Sequence, residues 1–222
     1  MYAYRKYNQI PARQDLDVVD MNKTLKHLID HLKIDTIPVD RKRLLNQLTS
    51  YIQEQKDQGT AIRLNFICTH NSRRSHLGQV WAAAMARYYD INHIITYSGG
   101  TEATAVYPKI VETLTHQGFL IEPLDTSANP VYHLSIDPEE SPVVLFSKVY
   151  DHHENPKSGF VAVMTCSQAD EGCPFIPGAY KRIAVTYEDP KSSDGTDLQN
   201  QVYRKRSEQI ATEMKYVFKQ IK

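Results

Sequence analysis

The 222-residue sequence has few cysteines, no excess of either charge and no long apolar run. Its three cysteines, Cys68, Cys166 and Cys173, are an odd number, which argues against the disulfide framework of a secreted protein. Lysine plus arginine equals aspartate plus glutamate at 26 each, so no strong field favours nucleic acid or an acidic membrane. Because a transmembrane-length run and the apolar core of a signal peptide are both missing, we expect a cytoplasmic protein with reduced thiols.

The pattern along residues 61–222 predicts an α/β catalytic domain. Residues 62–69 run apolar, as a buried strand should, and apolar side chains recur at helical spacing directly after Ser75. Strand and helix patterns then alternate, which favours a parallel sheet flanked by helices. The predicted strands cover 62–69, 93–98, 159–166 and 182–187, and the predicted helices lie near 75–90, 106–117 and 196–221.

Two further segments stand apart from this alternation. Residues 1–60 predict an N-terminal two-helix extension, with one amphipathic helix around Leu25–Leu32 and a second that begins at Asp40. This extension can cover the sheet edge, form a homodimer contact or gate the site, and we favour packing on the sheet edge. A β insertion is predicted over about 128–158, where residues 130–136 and 142–150 have the pattern of a β-hairpin.

The loop between the first predicted strand and its helix has the properties of an anion site with a nucleophile. Free backbone N–H groups and the helix dipole favour a bound anion at a helix N-terminus. The same field favours the thiolate form of Cys68. Arg74 offers a planar fork that matches a tetrahedral oxyanion, and Ser75 can hydrogen-bond the thiolate or the anion. The alternative is that Cys68 is an inert core cysteine. The candidate oxyanion-binding residues are Thr69, His70, Asn71, Ser72, Arg73, Arg74 and Ser75.

Other polar residues fall at the carboxyl ends of the predicted strands, where ligands bind in such sheets. Ser98, Cys166 and Asp189 all lie at these ends. Asp189 precedes Pro190, a step that fixes an extended turn and can hold a carboxyl group over an anion. Asp189 is therefore the candidate general acid, against the alternative of an ordinary turn aspartate.

A metal site is the competing explanation for the cysteines. Cys166 and Cys173 are seven residues apart, which is not the spacing of structural zinc ligands. His152 and His153 would complete a set of four metal ligands with the two cysteines, but paired histidines in a loop are usually exposed to solvent. The sequence therefore predicts no metal and no cofactor.

The stretch Cys68-Thr-His-Asn-Ser-Arg-Arg-Ser75 resembles the signature loop of low-molecular-weight protein tyrosine phosphatases and of the thioredoxin-coupled arsenate reductases of the same fold. The segments 97–100 and 107–109 resemble the next strand end and helix start of that family. The cysteine pair in Cys166-Ser-Gln-Ala-Asp-Glu-Gly-Cys173-Pro, with Asp189-Pro after it, is similar to the arsenate reductase branch. The resemblance covers roughly residues 62–222.

The resemblance implies reduction of arsenate by a three-cysteine relay. Cys68 attacks arsenic with Asp189 as acid, Cys166 attacks Cys68, and Cys173 attacks Cys166, after which thioredoxin or a similar thiol donor restores the pair. Two residues depart from the family loop. His70 stands where the family usually has glycine, either against the anion or facing solvent, and Arg73 replaces a second loop cysteine.

Two other functions stay open at the sequence level. A phosphatase would use Cys68 to form a phosphocysteine and would act on phosphotyrosine or a small phosphate ester. Lys191 follows Asp189-Pro190 where an aromatic residue would favour phosphotyrosine, which weakens that reading. The third function is a non-catalytic oxyanion or thiol sensor.

Overall fold

The structure, a computed structural model, describes residues 15–137, 141–172 and 175–222. Its helices and strands follow one another in the order α1 (Asp15–His31), α2 (Val39–Asp57), β1 (Ile62–Cys68), α3 (Arg74–Tyr88), β2 (Ile94–Gly100), α4 (Pro108–His116), β3 (Leu120–Pro123), β4 (Tyr132–Ser135), β5 (Val143–Leu145), β6 (Phe160–Met164), α5 (Ser167–Gly172), β7 (Ala179–Ala184) and α6 (Gln199–Phe218). Short 3₁₀ turns lie at Ile34–Thr36 and Pro190–Ser193.

The central sheet has the strand order β2-β1-β6-β7, and all its pairs are parallel. The chain passes from β1 to β2 on one side, whereas β6 and β7 lie on the other side of β1. The strand order therefore reverses between β1 and β6, and a crevice at the carboxyl ends of the strands is expected there. Cys68 ends β1, and Cys166 follows β6 after one intervening residue. The predicted parallel sheet flanked by helices is confirmed.

Apolar side chains on the two faces of the sheet enter two separate cores. The larger core joins residues of β1, β6 and β7 to residues of α1, α2, α3, α4 and α6. The smaller core contains Ile67, Cys68, Phe160 and Cys166 with Ala169 of α5. Both cysteines are thus buried beside the thinly covered face of the sheet.

The N-terminal helices pack within this chain. Leu45, Leu48 and Ile52 of α2 are fully buried in the larger core, and α2 contacts α6 and the edge strand β7. Arg41 of α2 donates two hydrogen bonds to the Glu213 carboxylate, at 2.9 and 2.8 Å. The apolar stripe read from the sequence is therefore used for packing, and the homodimer contact stays a prediction.

The insertion is larger than the predicted hairpin. Strands β4 and β5 pair antiparallel as expected, but β3 joins them to make a three-stranded sheet. Residues 138–140, within the predicted turn, lie outside the described residues. A bridge between Gly100 and Val149 brings the end of this insertion to the end of β2. The insertion therefore reaches the carboxyl ends of the strands, where Cys68 lies.

Across the described ranges, none of the helices combines the length and the apolar character needed to cross a bilayer.

Candidate active site

The loop after β1 lies against the end of β2. The register pairs Cys68 with Gly100, and an ideal Cβ on Gly100 would lie 2.6 Å from the Thr69 carbonyl oxygen and 2.7 Å from the Asn71 nitrogen. These contacts are with backbone atoms, so no rotamer change relieves them. Gly100 is therefore the residue that permits the loop to fold over the strand end.

The loop carbonyls point outward into hydrogen bonds. The C=O and N–H of a peptide group point in opposite directions. Because the loop C=O groups point away from the centre of the loop, its N–H groups point towards that centre. The N–H groups of residues 71–76 donate to no acceptor among the described residues, and the first three helical N–H groups have no partner within a helix. The loop is therefore a cradle of free donors suited to an oxyanion. These contacts are Thr101 N to Cys68 O (3.1 Å), Glu102 N to Thr69 O (2.8 Å), Ser147 Oγ to His70 O (3.0 Å), His76 Nε2 to Asn71 O (2.8 Å) and Tyr107 N to Ser72 O (3.0 Å), and the Arg73 carbonyl accepts the first hydrogen bond of α3 from Leu77 N (3.2 Å).

The Cys68 thiol lies at the base of this cradle. Its Sγ is 3.1 Å from the Ser75 hydroxyl, which accepts a 2.8 Å hydrogen bond from Asn71 Nδ2. Asn71 adopts a left-handed backbone, with φ of 43°, and its Oδ1 accepts from the Lys148 N–H at 2.8 Å. Since the Asn71 amide donates to Ser75, the Ser75 hydroxyl is free to donate to Cys68. This chain of hydrogen bonds directs the Ser75 O–H at the Cys68 sulfur.

His76 is a buried support of the loop that sequence analysis missed. Its Nε2 lies 2.8 Å from the Asn71 carbonyl oxygen, and since a carbonyl only accepts, Nε2 carries the proton. Nδ1 is 3.2 Å from the Ser98 hydroxyl. Burial, together with the Lys148 ammonium, lowers the pKa of His76 from 6.5 to about 3, so the ring is neutral at physiological pH. A histidine directly after the Arg-Ser pair was the available signal.

Arg74 and Asp189 meet beside the cradle. The Arg74 guanidinium donates to Asp189 Oδ2 at 2.6 Å and to the Tyr187 carbonyl at 2.9 Å. Arg74 Nε is buried and has no hydrogen-bond partner among the described residues, so one edge of the fork can serve an anion. Asp189 is also the cap of the following 3₁₀ turn, because its Oδ1 accepts from the Lys191 N–H at 3.0 Å. The Asp189 side chain remains 36% exposed.

Two side chains of the expected anion loop face elsewhere. The His70 ring is 42% exposed and lies 3.2 Å from Glu102, on the solvent side of the loop. The Arg73 guanidinium is directed to Tyr203 and Asp194, both at 2.7 Å. At these two positions only the backbone N–H group is left to contribute to anion binding. The Ser75 hydroxyl contacts Cys68 Sγ and Asn71 contacts that hydroxyl, whereas the Arg74 guanidinium lies against Asp189 and the Tyr187 carbonyl.

Cys166 lies next to the same loop on the neighbouring strand. Its Sγ is 3.4 Å from the Thr69 hydroxyl, and the Ala169 N–H donates to it at 3.4 Å. Ile67 pairs with Met164 in the register of β1 and β6, so Cys68 and Cys166 extend from adjacent parallel strands. Cys68 and Cys166 are both free thiols. Cys173, the third predicted site cysteine, lies outside the described residues.

In the described part of the chain, no group of three or more histidine, cysteine, aspartate and glutamate side chains is arranged to hold a metal ion. The His152 and His153 rings lie 4.1 Å apart, and His152 contacts Phe146.

No protein-family model matches the chain. Arsenate reductase 2 of Staphylococcus epidermidis is 28% identical over 134 residues, which cover 60% of this chain and 82% of that protein. The arsenate reductase of Staphylococcus aureus strain Newman is 27% identical over 135 residues, with the same coverage. The low-molecular-weight protein tyrosine phosphatase from T. tengcongensis covers 72% of this chain and 100% of its own length, with a TM-score of 0.51 and 16% identity.

The chain has the fold of a low-molecular-weight protein tyrosine phosphatase. The similarity to arsenate reductases confirms the resemblance read from the Cys68 loop and the later cysteines. The relatives by sequence and by fold are enzymes. In this phosphatase-like fold, the three-stranded insertion reaches the end of β2 beside Cys68, whereas the helical extension packs on α6 and β7.

Proposed function

We propose that the chain reduces arsenate to arsenite through Cys68, Cys166 and Cys173. The observation that carries this proposal is the meeting of an inward-facing amide cradle with two buried thiols at adjacent strand ends. Cys68 lies under the cradle, and Thr69, the next residue, contacts Cys166 Sγ. Hydrolysis needs only the first of these thiols, whereas a relay requires the second one nearby.

The chemistry begins with attack of the Cys68 thiolate on arsenic(V). A sulfur–arsenic bond forms, an arsenic–oxygen bond breaks, and Asp189 protonates the departing oxygen so that it leaves as water. The cradle N–H groups and Arg74 neutralise the remaining oxygens. Ser75 stabilises the thiolate before attack through its 3.1 Å contact with Cys68 Sγ.

Reduction follows when the Cys166 thiolate attacks Cys68 Sγ. A Cys68–Cys166 disulfide forms, and the electron pair of the sulfur–arsenic bond goes to arsenic, which leaves as arsenic(III) in arsenite. Cys173 then attacks Cys166 and restores the Cys68 thiolate, so two thiols supply the two electrons. The Ala169 N–H donates to Cys166 Sγ at 3.4 Å and helps to hold this sulfur beside the loop.

An external dithiol must reduce the resulting Cys166–Cys173 disulfide. We propose thioredoxin or a similar thiol donor, acting in the reducing environment of the cytoplasm. Phe175 supports a protein donor, because it is 76% exposed and lies two residues after Cys173. We also propose that residues 61–222 are the catalytic unit, with an insertion at about 128–158, and that residues 1–60 support it.

Phosphate-ester hydrolysis is the second candidate, and the fold favours it, since the phosphatase from T. tengcongensis aligns over its whole length. Phosphate and arsenate are both tetrahedral, so the cradle binds either. Cys68 would form a phosphocysteine, and Asp189 would act as acid and then as base. The sequence relatives are arsenate reductases, which places reduction first.

The test is turnover of the Cys173→Ser variant with arsenate, thioredoxin and its reductase. We expect about one arsenite per chain and then a stop, with a Cys68–Cys166 disulfide detected by mass spectrometry. Ser167→Ala, an exposed position in the same segment, should turn over like the wild type. Sustained turnover of Cys173→Ser would contradict the relay. Hydrolysis of an aryl phosphate by the wild type, without arsenate-dependent thioredoxin oxidation, would favour the phosphatase.

A further inference from the structure

Adjacent arginines hold both ends of one short turn beside the active site. The 3₁₀ turn Pro190–Ser193 begins after Asp189 and ends at Asp194. Arg74 pairs with Asp189 at 2.6 Å, and Arg73 pairs with Asp194 at 2.7 Å. The segment that carries the candidate general acid is thus fastened to the anion loop at two points.

The Arg73 attachment is built from several contacts. Its Nε donates to the Tyr203 hydroxyl at 2.7 Å, and that hydroxyl donates to the other Asp194 oxygen at 2.6 Å. The guanidinium carbon lies over the Tyr107 ring, 4.0 Å from its centre, which is a cation–π contact. The Arg73 side chain is only 11% exposed, so solvent screens this ion pair weakly.

The two attachments respond differently to substrate. An oxyanion in the cradle draws on the Arg74 guanidinium, which it must then share with Asp189. The Arg73 guanidinium is directed to Tyr203 and Asp194, so its contacts remain when the anion enters. When Arg74 turns towards the anion, Arg73 is the attachment that keeps the 189–194 turn in place.

We propose that Arg73 is a positioning residue that holds Asp189 within reach of the departing oxygen while Arg74 binds the anion. This inference rests on the proposed function, in which Asp189 is the acid. Arg73 takes no part in bond making. Its effect on the reaction passes through the turn and is present only when residue 189 has a proton to give.

The test is a double-mutant cycle between Arg73 and Asp189, read in the single-turnover rate of arsenite formation. Arg73→Met should lower this rate about tenfold, a part of the 10²–10⁴-fold that a general acid contributes. In an Asp189→Asn background the same substitution should change it by less than about twofold, because no acid remains to be positioned. Phosphate should protect Cys68 from alkylation equally well in all variants, since the cradle is unchanged.

Two further variants separate positioning from folding. Asp194→Asn should reproduce the loss without touching the anion loop, and Arg73→Lys should give an intermediate rate, since an ammonium lacks the fork that reaches both partners. Arg204→Met, on an exposed stretch of α6, is the matched control and should match the wild type. Equal losses in both Asp189 backgrounds, or no loss in Arg73→Met, would overturn the inference. A wild-type chain that forms no arsenite would instead remove the proposed function, and the inference with it.

Discussion

The two halves of the site differ in how firmly burial and hydrogen bonds hold their residues. The half proposed to bind the anion, residues 68–76, has buried side chains at Asn71, Ser75 and His76 and carbonyls that accept hydrogen bonds from surrounding residues. The half that carries the relay, residues 166–172, is a short helix in which Ala169 is the buried residue after Cys166. Its attachment to the sheet includes an ion pair between Arg182 and Asp170.

This difference matches the two kinds of chemistry. Oxyanion binding needs donors fixed in advance, since preorganisation lowers the cost of stabilising charge. A thiol relay needs sulfurs that approach one another in turn, so its segment has to move. In the proposed reaction the rigid half binds the oxyanion, whereas the looser half carries out the reduction.

The largest effect is expected from adding one methyl group to the rigid half. In Gly100→Ala, the new Cβ meets the backbone of residues 69, 71 and 102, none of which can rotate away. We expect the free energy of unfolding to fall by about 3 kcal/mol, in the upper range for overpacking. Urea denaturation measures this change, and phosphate protection of Cys68 against alkylation should weaken in parallel. An unaltered stability would show that the loop is not held as tightly as its contacts indicate.

The contrast between the halves also explains what the sequence could reveal. The loop was recognisable because strand, loop and helix are local patterns, and Cys68, Arg74 and Ser75 stand in one run. The orientation of the Arg73 side chain was not recognisable from the sequence, because its partners Tyr203 and Asp194 are 130 and 121 residues away. A side chain that can face either an anion or a distant carboxylate takes its direction from the tertiary fold.

The same distinction applies to the strands. The long apolar run of β1 was predicted nearly to its ends, because it is buried on both faces of the sheet. Strand β3, only four residues long and half exposed, lacks such a run and was missed. The last parallel strand was expected at 182–187, but β7 spans Ala179–Ala184. The apolar pattern continues past the last paired residue of β7 because Val185 and Tyr187 enter the larger core.

A second effect, of similar size but spread over a range of pH, concerns the pH dependence of the rigid half. The pKa of His76 is about 3 in the folded chain and near 6.5 when exposed, so between these values only the unfolded chain binds this proton. The free energy of unfolding therefore falls as the pH falls, by about 3 kcal/mol between pH 6.5 and 4 from this group. Above about pH 7.5 the histidine is neutral in both states and makes almost no pH-dependent contribution.

The variant His76→Gln isolates this effect, because its amide can still donate to the Asn71 carbonyl and carries no titrating group. We expect its stability to change less steeply with pH between 6.5 and 4 than that of the wild type. The comparison concerns the slopes, since the substitution also alters packing at every pH. Parallel slopes in the two chains would show that His76 titrates normally and that the loop is open to solvent.

The smallest effect is expected in the looser half. An ideal Cβ on Gly172 meets nothing within 4 Å, in contrast to Gly100. Gly172→Ala should change the free energy of unfolding by less than about 0.5 kcal/mol, since the gain in helix propensity is small at an exposed helix end.

The effect of Gly172→Ala should appear in the relay, because alanine stiffens the backbone just before Cys173. We expect multiple-turnover arsenate reduction to slow by roughly two- to fivefold, while single-turnover attack by Cys68 on arsenate is unchanged. Slowing of both rates together would mean that the two halves move as one unit.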